Sequence, residues 1–250
     1  MEVHSHTHTA RKKWTHYLWE FLMLFLAVFC GFLAEYQLEH IIEHQREKEY
    51  IRSMVEDLKK DTANFTTVIN NFISNEGRLE IVLRGFEEGR NKFSASWATE
   101  FVFTSRMGFA DFFYTDRTLQ QLKNSGGLRL IRNDKASSGI IEYDAAIKDL
   151  SGELVILSDA QELYKETVDK VWSFRRMLTD QGVIKWQSHP VLPVSQNYWT
   201  TNDQSDFEYL FNKATYYYYS FTRLRQQLIE GKEKASDLIH LLNTVYNINK

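Results

Sequence analysis

Cysteine is nearly absent from this chain. Cys30 is the only one, so no internal disulfide can staple the fold and it must be held by burial. Proline is almost as scarce. Pro190 and Pro193 are the only two and sit in one short stretch, which leaves room for long helices without breaks. Charge of one sign is lacking too. The formal net charge is −3 and no basic stripe occurs, which argues against nucleic acid as a partner. Period-two alternation never lasts more than a few residues, so strands are not expected. No Walker loop, dinucleotide fingerprint, G-x-S-x-G or C-x-x-C occurs. No catalytic, cofactor-binding or metal residue is therefore assigned, no cofactor is expected, and the chain is not expected to be an enzyme.

Long apolar runs are also lacking, with one exception. From Leu18 to Ala34 the sequence is strongly apolar, with Tyr17 and Tyr36 as aromatic edges and Glu20 as the one charge inside. A helix of that length spans roughly 25–30 Å, a hydrocarbon thickness. Signal peptidase needs small residues at −3 and −1. Cutting after Ala34 puts Phe32 at −3, and cutting after Gly31 puts Phe29 there. A lipoprotein signal needs a small residue before the cysteine and ends near it, whereas Phe29 precedes Cys30 and the run continues beyond. An uncleaved signal anchor is the reading that survives. Arg11, Lys12 and Lys13 precede the run, and Glu35, Glu39 and Glu43 follow it. Basic flanks stay cytoplasmic, so the N-terminus is expected inside and the remainder outside. The expected division is a cytoplasmic tail over 1–16, a transmembrane anchor over 17–36 and an extracytoplasmic helical bundle over 37–250.

Abundant aromatic residues, 14% of the chain, can supply the burial that disulfides do not. Three tracts place apolar residues at alternating steps of three and four. The first runs Ile51, Val55, Leu58, Thr62, Phe65, Ile69, Phe72, Glu76, Leu79, Leu83, Phe86. The second runs from Ala136 through Ile140, Tyr143, Ile147, Leu150, Leu154, Leu157, Gln161, Tyr164, Val168, Val171 and Arg175 to Leu178. The third runs Phe207, Leu210, Ala214, Tyr217, Phe221, Leu224, Leu228, Gly231, Ala235, Leu238, Leu242, Val245. Such spacing keeps one stripe on one face of a helix that coils against neighbours. Each helix would have about 40 residues and extend about 60 Å. The first is expected to continue the anchor without a break, because Tyr36 to Tyr50 contains no Gly or Pro. Shorter pieces around Ser94–Ser105 and Asp116–Lys123 would return the chain, with "NSGG" (Asn124 to Gly127) ending the second. Asn133 or Asp134 would cap the next long helix, running to about Thr179. Gln181 to Asp203 would form a loop. The expected fold class is all-α: a transmembrane helix continuing into an elongated up-and-down bundle.

The anchor and the stretch "LQQLKNSGGLRLIRND" (Leu119 to Asp134) resemble an uncharacterised family of small single-pass inner-membrane proteins of diderm bacteria. Its members carry a similar turn, matched here by Leu122, Lys123, Ser125, Gly126, Leu128, Leu130, Ile131 and Asn133. The resemblance implies the same topology and an inner-membrane location, and supplies no activity. The His-rich tail departs from the family pattern.

Several residue groups carry a chemical reading beside a plainer one. His40, Glu43 and His44 spell H-x-x-E-H, the pattern of inverted zinc peptidases; the plainer reading is a solvated helix face beside the membrane. His4, His6 and His8 alternate as divalent-metal ligands can, or form a polar tail. Glu20 pairs inside the membrane or reaches the interface. Ala27, Gly31 and Ala34 offer small residues for helix contact in lipid. Of Tyr216, Tyr217, Tyr218 and Tyr219, Tyr217 is on the stripe and at least one other should leave it. Gln161 and Arg175 break an apolar stripe and would pair with polar groups such as Glu76. The leading expectation is a non-catalytic, membrane-anchored periplasmic interaction module, an accessory subunit or a homo-oligomer. Its partners would be the membrane and a protein. The runner-up is a ligand-sensing bundle that relays through a partner, since the sixteen-residue tail has no output domain. A zinc peptidase at His40, Glu43 and His44 stands third.

Overall fold

The computed structural model describes residues 14–89, 93–108, 112–181 and 198–248. The basic cluster Arg11–Lys13, the tail histidines His4, His6 and His8, and most of the loop carrying Pro190 and Pro193 lie outside the described residues. The fold is helical: α1 (Trp14–Glu88), α2 (Ala95–Arg106), α3 (Arg117–Asn124), α4 (Asp134–Val171), α5 (Phe174–Gln181) and α6 (Gln204–Tyr246). No strand occurs among the described residues; one isolated antiparallel bridge joins Trp172 to Trp199.

The chain divides into two compact units after Tyr50. In the first, α1 holds a helix long and apolar enough to cross a membrane, and none of its apolar window is buried. Phe21, Phe25 and Phe29 stack at 6.3 and 5.9 Å along it, at the i,i+4 spacing of one helix face.

In the second unit the helices pack into a bundle. α4 runs antiparallel to α6. Gly139 faces Leu238, Gly231 lies against Leu150, and Tyr164 stacks on Tyr217 at 5.6 Å. α1 also runs antiparallel to α6, with Phe72 stacked on Phe221 at 4.3 Å and Phe86 against Phe211 at 6.0 Å. The third stripe is buried from Phe207 to Leu242. α6 and α1 approach closely at Gly231, where a Cβ would lie 2.9 Å from the Phe65 ring.

Between α1 and α4 the chain returns as expected. Ser94 caps α2 by accepting from Trp97 N at 3.1 Å. Trp97 lies over Gly85 and donates its indole N–H to the Val82 carbonyl at 3.0 Å. α3 ends at Asn124, and Gly126, two residues on, has a φ of +66° that favours glycine. Asn133 then caps α4 by accepting from Ala136 N at 3.0 Å.

Three expectations are corrected. α4 stops at Val171, not near Thr179. There Ser173 N donates to Tyr198 O and Thr200 N to Val171 O, at 2.6 and 2.9 Å, so the Tyr198–Thr200 segment takes over the hydrogen bonds of the next turn. Arg175 belongs to α5 and is exposed, and the Leu178 side chain lies outside the described residues. Leu154 is only half-buried, while Leu150 and Leu157 on either side are buried.

Candidate functional site

Two buried aspartates, Asp57 and Asp61, stand one turn apart on α1, each 1% exposed. Burying a carboxylate is costly unless donors surround it. Asp57 accepts from Thr118 Oγ1 at 2.5 Å, Arg117 Nη2 at 3.0 Å and Thr118 N at 3.2 Å. Thr118 is the second residue of α3. Asp116, the residue before α3, makes no side-chain cap bond, so Asp57 caps α3 from a neighbouring helix. Its charge also faces the positive end of the α3 dipole. Asp61 accepts from Thr115 N at 2.7 Å and from the Tyr143 hydroxyl of α4 at 2.8 Å. Asn64 Nδ2 donates to the Phe113 carbonyl, and Phe112 stacks on Phe65 at 4.3 Å.

Asp144, one residue on from Tyr143, receives Lys123 of α3 at 2.6 Å and Lys148 at 2.9 Å. Three carboxylates thus pin the returning segment and α3 between α1 and α4. Burial pushes the Asp61 carboxyl above its ordinary range, against the pull of its bonds from Tyr143 and Thr115, and neighbouring Asp57 adds to the rise. Burial raises the Tyr143 hydroxyl as well, and Asp61 beside it raises it further. For Asp144 burial also pushes upward, but the bonds from Lys123 and Lys148 outweigh it and hold the carboxyl low. Chemically the cluster is a clamp that ties α3 and the segment before it to α1 and α4.

The sequence reading missed this clamp. Glu47, Met54, Asp61, Val68, Asn75 and Val82 form a second buried heptad line on α1, but half of its members are polar and hide it. The seven-residue spacing was the available signal.

The singled-out residues fall elsewhere. His44 Nδ1 lies 3.2 Å from Glu47 Oε2, and His40 packs beside Tyr36 at 6.5 Å. Among the described residues no three His, Cys, Asp or Glu gather as a metal site. Glu20 pairs with His16 one turn earlier, at 3.0 Å. Ala27, Gly31 and Ala34 share α1, and a Cβ at Gly31 would meet nothing within 4 Å. Tyr217 is buried, Tyr218 donates to Glu80 at 3.1 Å, and Tyr216 and Tyr219 are exposed. Gln161 Nε2 donates to the Met107 carbonyl. Glu76 pairs with Arg225 of α6, Nε to Oε2 at 2.5 Å, rather than with Gln161 or Arg175. That pair joins α1 to α6.

No family model, curated protein or solved structure matches this chain.

Proposed function

We propose that the chain is a non-catalytic, membrane-anchored helical module. Its bundle lies on the periplasmic side of a bacterial inner membrane. It acts as a structural or accessory subunit of an inner-membrane assembly, or as a homo-oligomer. One observation carries this reading. The apolar window of α1 has none of its surface buried, and the same helix continues without a break into the bundle. Exposed apolar surface of that extent needs lipid or a partner to cover it. The open flank at Gly31 supports a packing face for a second helix. The resemblance of Leu119–Asp134 to single-pass inner-membrane proteins supports the same placement. Within the bundle, Asp57, Asp61 and Asp144 are engaged in holding α3 and the segment before it, which supports a scaffold more than a reaction centre.

The test is extraction followed by sizing. The full chain should stay with membranes through alkaline carbonate and leave only with detergent. In mild detergent its mass should then exceed one chain plus micelle, through copies of itself or a stoichiometric partner. A monomer that leaves with carbonate alone would sink the proposal.

A further inference from the structure

The C-terminal turn of α1 and the first turns of α6 enclose a cleft that the clamp does not touch. Its walls are Phe86, Phe93, Phe207 and Phe211. Its volume is about 510 Å³, within the roughly 300–1,000 Å³ of small-molecule sites. Three rings stand like sides of a box. Phe93 and Phe211 lie 5.9 and 6.0 Å from Phe86, turned 88° and 75° from it. The rings are held from behind. Phe93 stacks on Trp97 at 3.7 Å, Phe86 meets the same indole edge-on at 5.4 Å, and Phe207 packs on Trp199 at 4.8 Å. Their orientation is set before any ligand arrives, which lowers the ordering cost of binding. Glu87 and Glu208 also line the cleft, and among the described residues its lining carries no basic side chain.

From this geometry we propose that the cleft binds a small organic cation carrying an alkylated ammonium head. Ring faces are electron-rich and attract a diffuse cation within about 6 Å of the centroid. The two carboxylates supply the opposite charge. The two carboxylates disfavour an anion, among the described residues no three His, Cys, Asp or Glu gather to hold a metal ion, and a neutral apolar molecule would gain nothing from Glu87 and Glu208. The inference goes beyond the anchoring reading and does not depend on it.

Choline is the probe, with its uncharged carbon isostere 3,3-dimethylbutan-1-ol as the control. The full chain is titrated in a maltoside detergent, which carries no ammonium head. Binding is followed by calorimetry and by fluorescence of Trp97 and Trp199, which back the walls. Choline should bind saturably, and the isostere roughly tenfold more weakly or worse. Glu87 and Glu208 are exposed, so the double variant Glu87→Gln/Glu208→Gln should keep the wild-type melting temperature and lose roughly tenfold in choline affinity. Phe211→Leu should weaken choline as well. The proposal is overturned by the absence of saturable choline binding, by equal binding of the isostere, or by a double variant that binds choline as the wild type does.

Discussion

Asp61 is the residue where the conflict between burial and charge is sharpest. It is closed off from water, and its charged form is held by one backbone N–H and one phenol, at 2.7 and 2.8 Å. Tyr143→Phe removes the phenol and leaves a buried carboxylate short of a donor. The expected loss is about 1–3 kcal/mol, read from urea unfolding at neutral pH. An unchanged midpoint would mean that the clamp does not hold α4. The pH dependence follows from the raised Asp61 carboxyl. The folded state holds the Asp61 proton more tightly than the unfolded chain, whose carboxyl has the ordinary value of 3.8. Stability from this group therefore falls as pH rises from 3.8 through the raised folded value, and the cost persists above it. Asp144 works in the opposite direction, because its folded carboxyl is lowered. Its contribution is present above the ordinary range and is lost as pH falls through the lowered value. Asp61→Asn removes the first effect and leaves the second. The stability of this variant relative to wild type should therefore rise as pH climbs from the ordinary carboxyl value of 3.8 through the raised folded value. A difference that is flat or falls over that range would show that burial does not govern Asp61.

At the scale of elements, α6 was the most legible part of the chain. Every stripe member from Phe207 to Leu242 is buried, because one wide apolar face meets α1 and α4 and nothing competes with it. α4 was legible as far as Val171. Its end was not, because the hydrogen bonds that stop it come from Tyr198–Thr200, far along the chain. The polar clamp and the aromatic cleft were not legible either. Asp57 matters only because Thr118 comes to it, and the cleft forms where Phe86, Glu87, Gly89 and Phe93 meet residues of the first turns of α6. The seven-residue spacing marks Asp61 as a buried position, but no local periodicity names the residues that come to meet it. Packing within an element is testable at Leu224, which is fully buried on α6. Leu224→Ala should cost about 2–5 kcal/mol, whereas Lys234→Ala on the exposed face should stay within about 0.5 kcal/mol. Gly85→Ala sets two effects against each other. Alanine favours a helix over glycine by about 1 kcal/mol. Here, however, its Cβ would sit 2.0 Å from the Trp97 ring. The indole would have to leave the Val82 carbonyl, and overpacking of this kind costs about 1–3 kcal/mol. The variant should therefore melt below wild type, and a higher melting temperature would refute the Trp97 placement.

For the whole molecule, the proposed function turns on the side of a membrane that the bundle would occupy, and the charge pattern around the apolar run is the guide. Arg11, Lys12 and Lys13 come before the apolar run, and Glu35, Glu39 and Glu43 come after it. Lys and Arg near a span resist translocation, whereas acidic residues contribute little. The first basic residue after the run is Arg46, about three turns past Tyr36, so the basic weight lies on one side. A reporter active only in the periplasm should accordingly work when fused after Lys250 and fail when fused before Met1. Replacing Arg11, Lys12 and Lys13 by Glu while adding Lys at positions 39 and 43 reverses the bias and should move activity toward the N-terminal fusion. The substitutions lie outside residues 51–248, so no residue of the second unit is changed. An N-terminal reporter that is active on the unaltered chain would place the bundle in the cytoplasm and defeat the proposed function at its first step. Activity that stays put when the charges are exchanged would show that something other than the flanking charge orients α1.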